Sequence, residues 1–427
     1  MQQQQATTQA ILIEGKTKAV FQHATDEKKV VLTAKDDITA HNKQMHDVIE
    51  GKSQLATATT SNVFRFLKAC GLPVAFDEQI SPTEFVAPKC EMILYEVVVR
   101  REAHGSFLKR YPYLQKGHVF PEVVLEYFLK TTDQTWKGNS IPADDPYISF
   151  VENKALLYRP DVPLWEQEPF MKLEDYPLWD NKGMLDQMGT LAKKAFFALE
   201  KAWQQAGSTL VDFKLEFGID TEGTLLIADV IDNDSWRVLH AGAYMDKQFY
   251  RDGGTLNEVT AKYAFVQQKT AQFSVPKQQV IIWRGSEKDE VEDVIAQLHT
   301  YGASLQTTLI TCSMHKDPVQ GYQELVKAIQ TIPDTVVIAF VGRSNGAGPT
   351  LSANTTVPVI TVPVGWEKFP EDIWSSLRAP SKVPVMTVLD RNNACLAALQ
   401  MLAQHNPQLN MQLQTERIGR ARNVVAV

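Results

Sequence analysis

The sequence predicts an α+β domain over residues 10–265, followed by a smaller, doubly wound α/β domain over residues 280–427. Three observations predict it. After Val280, apolar β-branched runs alternate with amphipathic helical stretches, the rhythm of a parallel sheet covered on both faces. The first 265 residues mix strands and helices without that alternation. Between them, residues 266–279 (VQQKTAQFSVPKQQ) are glutamine-rich around one proline, the composition of a linker.

Each element follows from local pattern. Residues 1–9 are polar, read as a disordered tail and lack the apolar core of a signal peptide. From Ala10, AILIEGKTKAVFQ and KVVLTAKDDITA are strand-like, Ser53 to Cys70 has helical periodicity, and EFVAPKC and EMILYEVVVRR return to strand. Thr131 to Asp180 is rich in Pro, Asp and Trp with weak periodicity, and an irregular excursion is expected there. Residues 183–205 form an amphipathic helix, and VDFKLEFGIDTEGTLLIADVID a hairpin turning at Asp220–Gly223. In the second domain VIIW, SLQTTLIT, TVVIAFVG, PVITVPV and VPVMTVL read as strands. EKDEVEDVIAQLHTYG, QGYQELVKAIQ and CLAALQMLAQH read as helices.

The net charge of −7 argues against a broad nucleic-acid footprint, and no apolar run reaches the length of a membrane span. The four cysteines, Cys70, Cys90, Cys312 and Cys395, form no C-x-x-C pair. Reduced thiols in a cytoplasmic protein are expected, rather than disulfides or a zinc ribbon.

The hairpin carries the sharpest chemistry. Side chains alternate along a strand, so Asp212, Lys214 and Glu216 share one face, and Asp229 returns opposite Lys214 or Glu216 according to register. Asp232, Asp234 and Arg237 follow. Acids beside a lysine suit a Mg²⁺–triphosphate site; a solvated face with surface ion pairs has the same alternation. EGKTK, with Gly15, Lys16 and Lys18, is not a Walker A loop, because the first glycine of that motif would fall at Ala10. A glycine hairpin over phosphates, as in kinases, and an ordinary exposed hairpin both fit it. VVVRREAHGSFLKR sets Arg100, Arg101, Lys109 and Arg110 around Gly105-Ser106, either an anion clamp or a basic strand end at the surface.

In the second domain Gly285-Ser286, Ser313–Lys316 and GRSNGAG follow strands. They lie at the edge of an open α/β sheet where ligands bind. His315 in such a loop is either a proton-transfer group or a structural histidine. Ser286 and the helix after it offer N–H groups to a phosphate, with Asp289 in the first turn as a ligand group or only a dipole-favourable acid. The glycines of GRSNGAG allow close ligand approach or simply form turns.

Taken in order, EGKTK, KDDITAHN, APKCEM, VRREAHGSFLKR, VDFKLEFG, ADVIDNDSWR and DKQFYRD resemble the succinocarboxamide-ribotide (SAICAR) synthetase family over about residues 10–255. The resemblance implies an α+β fold with a kinase-like ATP lobe, and an ATP- and Mg²⁺-dependent ligase joining carboxyaminoimidazole ribotide (CAIR) to L-aspartate. It implies Lys16, Lys18 and Lys130 at the ATP phosphates, Glu91 and Met92 at the adenine, Glu216 and Asp229 on Mg²⁺, and Lys214 as a catalytic group. Arg100, Ser106, Asp212 and Arg237 are implied at the ribotide and aspartate.

A second set, GSEKD, SMHKDP, GRSNGAGP, SANT and DIWSSLR, resembles the aminoimidazole-ribotide (AIR) carboxylase family over about residues 280–400, in its animal form fused to the ligase. This implies a flavodoxin-like fold and addition of CO₂ to AIR without ATP or biotin. His315 is implied as the proton shuttle, and Ser286, Asp289, Ser313, Lys316, Ser344, Asn345 and Gly346 at the ribotide. Lys288, Met314 and Ala353 stand where a small hydroxyl residue, alanine and glycine are expected. A methionine beside the shuttle is expected to narrow the pocket, so a domain serving only ribotide binding or oligomerisation stays open as an alternative. The resemblance also implies a homo-oligomer, an octamer, with small-molecule substrates only.

Overall fold

The computed structural model describes residues 10–40, 45–151, 154–173, 182–302 and 304–421. The expected tail over residues 1–9 lies outside the described residues. The chain divides into two compact units, Met1–Ser274 and Val275–Val427.

The first unit opens with strands β1 (Ile11–Glu14), β2 (Lys18–Gln22) and β3 (Lys29–Ala34), helix α1 (Lys52–Ala69), and strands β4 (Glu78–Ser81) and β5 (Glu84–Pro88). The strands form an antiparallel sheet in the order β1-β2-β3-β5-β4. Helix α1 buries Val63, Phe64, Phe66 and Leu67, an i, i+1, i+3, i+4 set that makes one apolar stripe.

A larger, nine-stranded sheet follows. Its centre is β6 (Cys90–Glu102), β7 (Val119–Leu129), β8 (Thr209–Asp220), β9 (Leu225–Ala228) and β10 (Trp236–His240), with α2 (Lys182–Gln205) between β7 and β8 and α3 (Leu256–Thr270) after β10. β8 lies between β6 and β10 and also pairs with β9 through the expected turn, where Gly223 sits at φ +84°. Helix α2 buries Phe196, Phe197 and Trp203, matching its amphipathic pattern.

The stretch from Thr131 differs from expectation. Tyr147–Val151, Lys154–Tyr158 and Met171–Leu173 are strands that extend the nine-stranded sheet beyond β7. Their apolar residues are few and interrupted by Pro and Asp, so periodicity alone does not reveal them; residues 174–180 lie outside the described residues. The linker also narrows. Helix α3 runs to Thr270 and the next strand starts at Gln278, because Gln278 and Gln279 are buried and bonded within the second unit, Gln278 to Asp334 at 2.6 Å.

The second unit is β11 (Gln278–Arg284), α4 (Glu292–His299), β12 (Leu305–Thr311), α5 (Pro318–Thr331), β13 (Thr335–Val341), β14 (Val359–Pro363), β15 (Met386–Thr387), α6 (Arg391–Leu402) and α7 (Pro407–Ala421). The sheet is wholly parallel, in the order β12-β11-β13-β14-β15. This is the flavodoxin-like order, with its switch point between β11 and β13. β13 is buried along its whole length, as expected of a strand covered on both faces. No helix among the described residues is long and apolar enough to cross a membrane.

Candidate functional site

In the first unit the charged face of β8 is completed by neighbouring strands. Asp212 lies directly across from Arg100 on β6. Its Oδ2 accepts hydrogen bonds from Arg100 Nη1 and from Arg237 Nη1, the latter at 2.6 Å. Two residues along, Lys214 Nζ donates to Glu96 Oε2 at 2.8 Å. Two further along, Glu216 is ion-paired with Lys130, just beyond the end of β7. The register pairs Glu216 with Ala228, so Asp229 lies one residue past the end of β9 and, against the expectation from alternation, opposite neither Lys214 nor Glu216. Asp229 holds φ +64°, an uncommon conformation for a non-glycine residue, and pairs with Lys18 from β2. Side chains from six strands or strand ends thus meet at one site.

Burial and neighbouring charge tune these groups. Burial pulls Lys18 down to about 8, against the upward pull of Glu216. The Glu96 carboxylate outweighs burial and holds Lys214 well above the usual lysine range. Burial pushes Glu216 up, but Lys130 and Lys18 together bring its carboxyl below the usual range.

The basic segment sorts into distinct roles. Arg101 is bonded to Glu200 on α2 at 2.6 Å and 3.0 Å, and Arg110 is wholly buried. Arg100 sits between Glu126 and Asp212. Gly105 has φ +58°, and a Cβ there would lie 2.2 Å from an Arg237 guanidinium nitrogen. The glycine therefore lets Arg237 cover the backbone beside exposed Ser106. Met92 and Cys90 pack on a small apolar cluster of Ala75, Leu226 and Ala228, and Glu91 is exposed alongside. Lys16 stands apart, exposed in the turn between β1 and β2.

Sequence reasoning missed Glu96, Glu126 and Lys52. A lone acid inside the apolar run VVLEYFL was the available signal for Glu126, since buried charges are paired. Lys52 is buried, with its ammonium 5.7 Å from the centre of the Tyr263 ring. The nearby Asp234 carboxylate takes Lys247 at 2.8 Å and the Tyr263 hydroxyl at 2.7 Å.

In the second unit the strand-end loops gather at one edge of the sheet. His315 Nε2 lies 3.4 Å from Ser344 Oγ, and a Cβ on Gly346 would come within 2.4 Å of the imidazole, so only glycine admits the ring at that position. Asn345 faces inward instead. Its Oδ1 accepts the Gly348 N–H at 2.7 Å and its Nδ2 donates to Ser376 at 3.0 Å, so it braces the glycine loop. Ser313 turns the chain by accepting N–H bonds from Lys316 (2.9 Å) and Asp317 (2.8 Å), and leaves Lys316 exposed.

Two expectations are corrected here. The helix after Ser286 starts only at Glu292, so Asp289 is not in its first turn; it bends back and accepts the Ser286 N–H at 3.0 Å. Met314 does not crowd His315. It is buried in a core cluster with Trp283, Ile310 and Leu325, while His315 is exposed. Lys288 and Ala353 are exposed. No hydrogen bond among the described residues joins the Ser286–Asp289 pair to His315.

Comparison with known proteins agrees with this division. The SAICAR synthetase family model matches residues 11–150 and 165–270, and the AIR carboxylase family model matches residues 279–423. The chain is 39% identical over 411 residues to the probable multifunctional protein ADE2 of Caenorhabditis elegans, covering 93% of this chain and 90% of that protein. It is 34% identical over 416 residues to the human bifunctional phosphoribosylaminoimidazole carboxylase/phosphoribosylaminoimidazole succinocarboxamide synthetase, covering 92% and 90%. Among solved structures it resembles the phosphoribosylaminoimidazole-succinocarboxamide synthase of Ehrlichia chaffeensis, with a TM-score of 0.50 and 27% identity, covering 61% of this chain and 98% of that one. A SAICAR synthetase in complex with ADP matches with a TM-score of 0.50 and 26% identity, covering 62% and 98%.

Proposed function

The chain belongs to the bifunctional AIR carboxylase/SAICAR synthetase family of purine biosynthesis, and on that premise we propose how its residues divide the chemistry. Its first unit is the ligase and its second the lyase. The alternative of a second unit that only binds or oligomerises is not favoured, because the carboxylase family model spans nearly all of that unit.

Glu216 and Asp229 fit a Mg²⁺ ion. They are hard-oxygen donors gathered around Lys18, which pairs with Asp229 and feels the charge of Glu216, and Mg²⁺ uses one or two carboxylates plus substrate phosphates rather than an all-protein cage. Among the described residues no larger cluster of acidic, histidine or cysteine side chains forms such a cage. Bound there with ATP, Mg²⁺ would neutralise charge on the transferring phosphoryl group. Lys18 and Lys130 exchange their carboxylate partners for ATP phosphates, and Lys16 reaches in from the turn. Met92 and Glu91 border the adenine. Arg100, Arg237 and Ser106 hold the ribotide, and Asp212 orients the two arginines. The imidazole carboxylate of CAIR attacks the γ-phosphorus and ADP leaves. The aspartate amine then displaces phosphate and loses a proton. Lys214, kept charged by Glu96, stabilises the oxyanions of both steps and is not their base.

In the second unit His315 moves the proton at the carbon of AIR that receives CO₂, without ATP or biotin. Ser286, Asp289, Ser313, Lys316, Ser344 and Gly346 surround the ribotide, and Asn345 holds their loop in shape. The reading includes a cytoplasmic homo-oligomer, an octamer by family resemblance. Exposed Phe369, Trp374 and Leu377 on the second unit support association, and light scattering measures it.

The observation that carries the reading is the single face on which Lys18–Asp229, Lys130–Glu216 and Lys214–Glu96 lie beside the arginine pair. The purified chain should convert CAIR, aspartate and ATP–Mg²⁺ to SAICAR, ADP and phosphate, and AIR with bicarbonate to CAIR without ATP. Failure to use CAIR would sink the ligase assignment, and an ATP requirement for CAIR formation would sink that of the lyase.

A further inference from the structure

We propose that Glu126 is a positioning residue of the ligase site: it sets the guanidinium of Arg100 so that this arginine can hold the phosphorylated imidazole substrate. The inference rests on the reading of Arg100 and Arg237 as the ribotide arginines. In that reading Glu126 is not itself a ligand.

Glu126 lies on β7 across from Val98 of β6, on the diagonal from Arg100. Its Oε2 accepts from Arg100 Nε at 2.6 Å and its Oε1 from Arg110 Nη2 at 2.5 Å. Asp212 accepts from Arg100 Nη1 and Arg237 Nη1. Three guanidinium groups thus share two carboxylates, an excess of one positive charge among the directly bonded groups, in a cluster where no side chain is more than 15% exposed. Uncompensated charge in such a place calls for an anion.

The geometry shows where the anion goes. Arg110 is enclosed by the rings of Phe107, Phe128 and Tyr147, each within 5.7 Å of its Cζ, and is bonded to the Pro160 carbonyl at 2.9 Å. Arg110 Nε lacks a hydrogen-bond partner, but the three rings close it in; the donors open to a ligand are elsewhere. Arg237 Nε is buried without a hydrogen-bond partner, and Arg100 Nη2 takes no part in the bonds to Glu126 and Asp212. Both arginines converge on Asp212 beside Gly105-Ser106, where a phosphate or carboxylate oxygen completes the set. Glu126 fixes which edge of Arg100 stays open, because it holds Nε while Asp212 holds Nη1. Glutamine has one acceptor oxygen in place of two, so it releases either Arg100 or Arg110.

The test measures ligase KM for CAIR and for ATP, kcat and the unfolding midpoint, with carboxylase turnover of the same chain as internal reference. Glu126→Gln is expected to raise KM for CAIR about tenfold while KM for ATP stays put, as for loss of one charge-assisted contact. The double variant Glu126→Gln/Arg110→Met restores the charge balance and puts an apolar side chain among the three rings. It should recover the unfolding midpoint and keep the raised KM for CAIR, and it carries the test if the single variant does not fold. A double variant with wild-type KM overturns the proposal, since neutralising Arg110 would then be the whole role. Wild-type KM in Glu126→Gln alongside a raised KM in Arg100→Met overturns it as well. Arg100→Met with unchanged KM refutes the ribotide reading itself, and the positioning role with it.

Discussion

In the first unit the side chains on the site face are charged and already paired, lysine to carboxylate and arginine to carboxylate, and all of them except Lys130 are half-buried or buried. In the second unit the strand-end loops carry Ser286, Ser344 and His315 in the open, held by backbone turns and by the inward-facing Asn345. The difference follows the chemistry each site handles. A ligase that brings together ATP and a multiply charged ribotide, with a metal on the proposed reading, needs fixed charges whose fields are strong where water is excluded. A site that adds CO₂ to one ribotide needs loops that fit it and one group that moves a proton.

The sharpest way to break the comparison is to remove one charge from the first site. Glu216→Gln leaves Lys130 unpaired and removes a carboxylate from the proposed metal pair. Ligase kcat should fall on the order of 10³-fold, as when a preorganised electrostatic group is lost, with carboxylase turnover unchanged. Ligase kinetics at the wild-type level would show that the paired charges are structural. His315→Asn is the reciprocal experiment. Carboxylation should fall about 10²- to 10³-fold, the range for a general acid–base group, while CAIR-dependent ligation continues. If both activities fall together in either variant, the two sites are not independent and the comparison fails.

The contrast also decides what was legible in the sequence. In the second unit the strand rhythm of VIIW, SLQTTLIT and TVVIAFVG announces a parallel sheet, and strand-end placement follows from topology, so His315 and GRSNGAG could be placed at the ligand edge. What remained hidden was local. The Asp289 carboxylate folds back on the Ser286 N–H, which delays the helix to Glu292, and Met314 turns to the core while its neighbour turns out. In the first unit alternation put Asp212, Lys214 and Glu216 on one face. Their partners Arg100, Glu96 and Lys130 lie 112, 118 and 86 residues away in sequence, and only strand order and register bring them together. The left-handed turn at Asp229 is likewise set by the end of the β8–β9 pairing and has no composition signal.

A third experiment separates the units by stability. Asp246 is buried between the backbone N–H groups of Val238 (2.8 Å) and Gln248 (2.7 Å), and burial pushes its carboxyl up to about 7. A folded-state value above the unfolded one means that its contribution is fully present below about pH 4 and is lost as pH rises through about 7. The first unit should lose on the order of 2 kcal/mol between pH 5 and 8 from this group, and its pH slope should shrink by that contribution in Asp246→Asn, with buried Asp232 and with Asp145, both also raised, left in place. Among the described residues the second unit buries no Asp or Glu side chain, so hydrogen exchange there should lack this dependence on pH. Equal slopes in both units would remove the electrostatic distinction.

The smallest effect tests the pairing of Lys18 directly. Burial and the neighbouring Lys130 and Lys214 charges pull its ammonium down to about 8, and Glu216 and Asp232 resist. Below that pH Lys18 is charged and ready for a phosphate; above it the charge is lost. Because kcat/KM reports the free enzyme, kcat/KM for ATP should fall above pH 8, approaching tenfold per pH unit. Bound triphosphate favours the charged lysine, so kcat at saturating ATP should stay level over the same range. Lys214 cannot produce this limb, since Glu96 holds it far above the range, and the carboxylase reaction of the same chain should not follow it. Lys18→Arg, charged throughout, should flatten the limb even if it lowers the plateau. A limb that persists at the same pH in Lys18→Arg belongs to another group, and Lys18 is then not the titrating contact between the first site and its nucleotide.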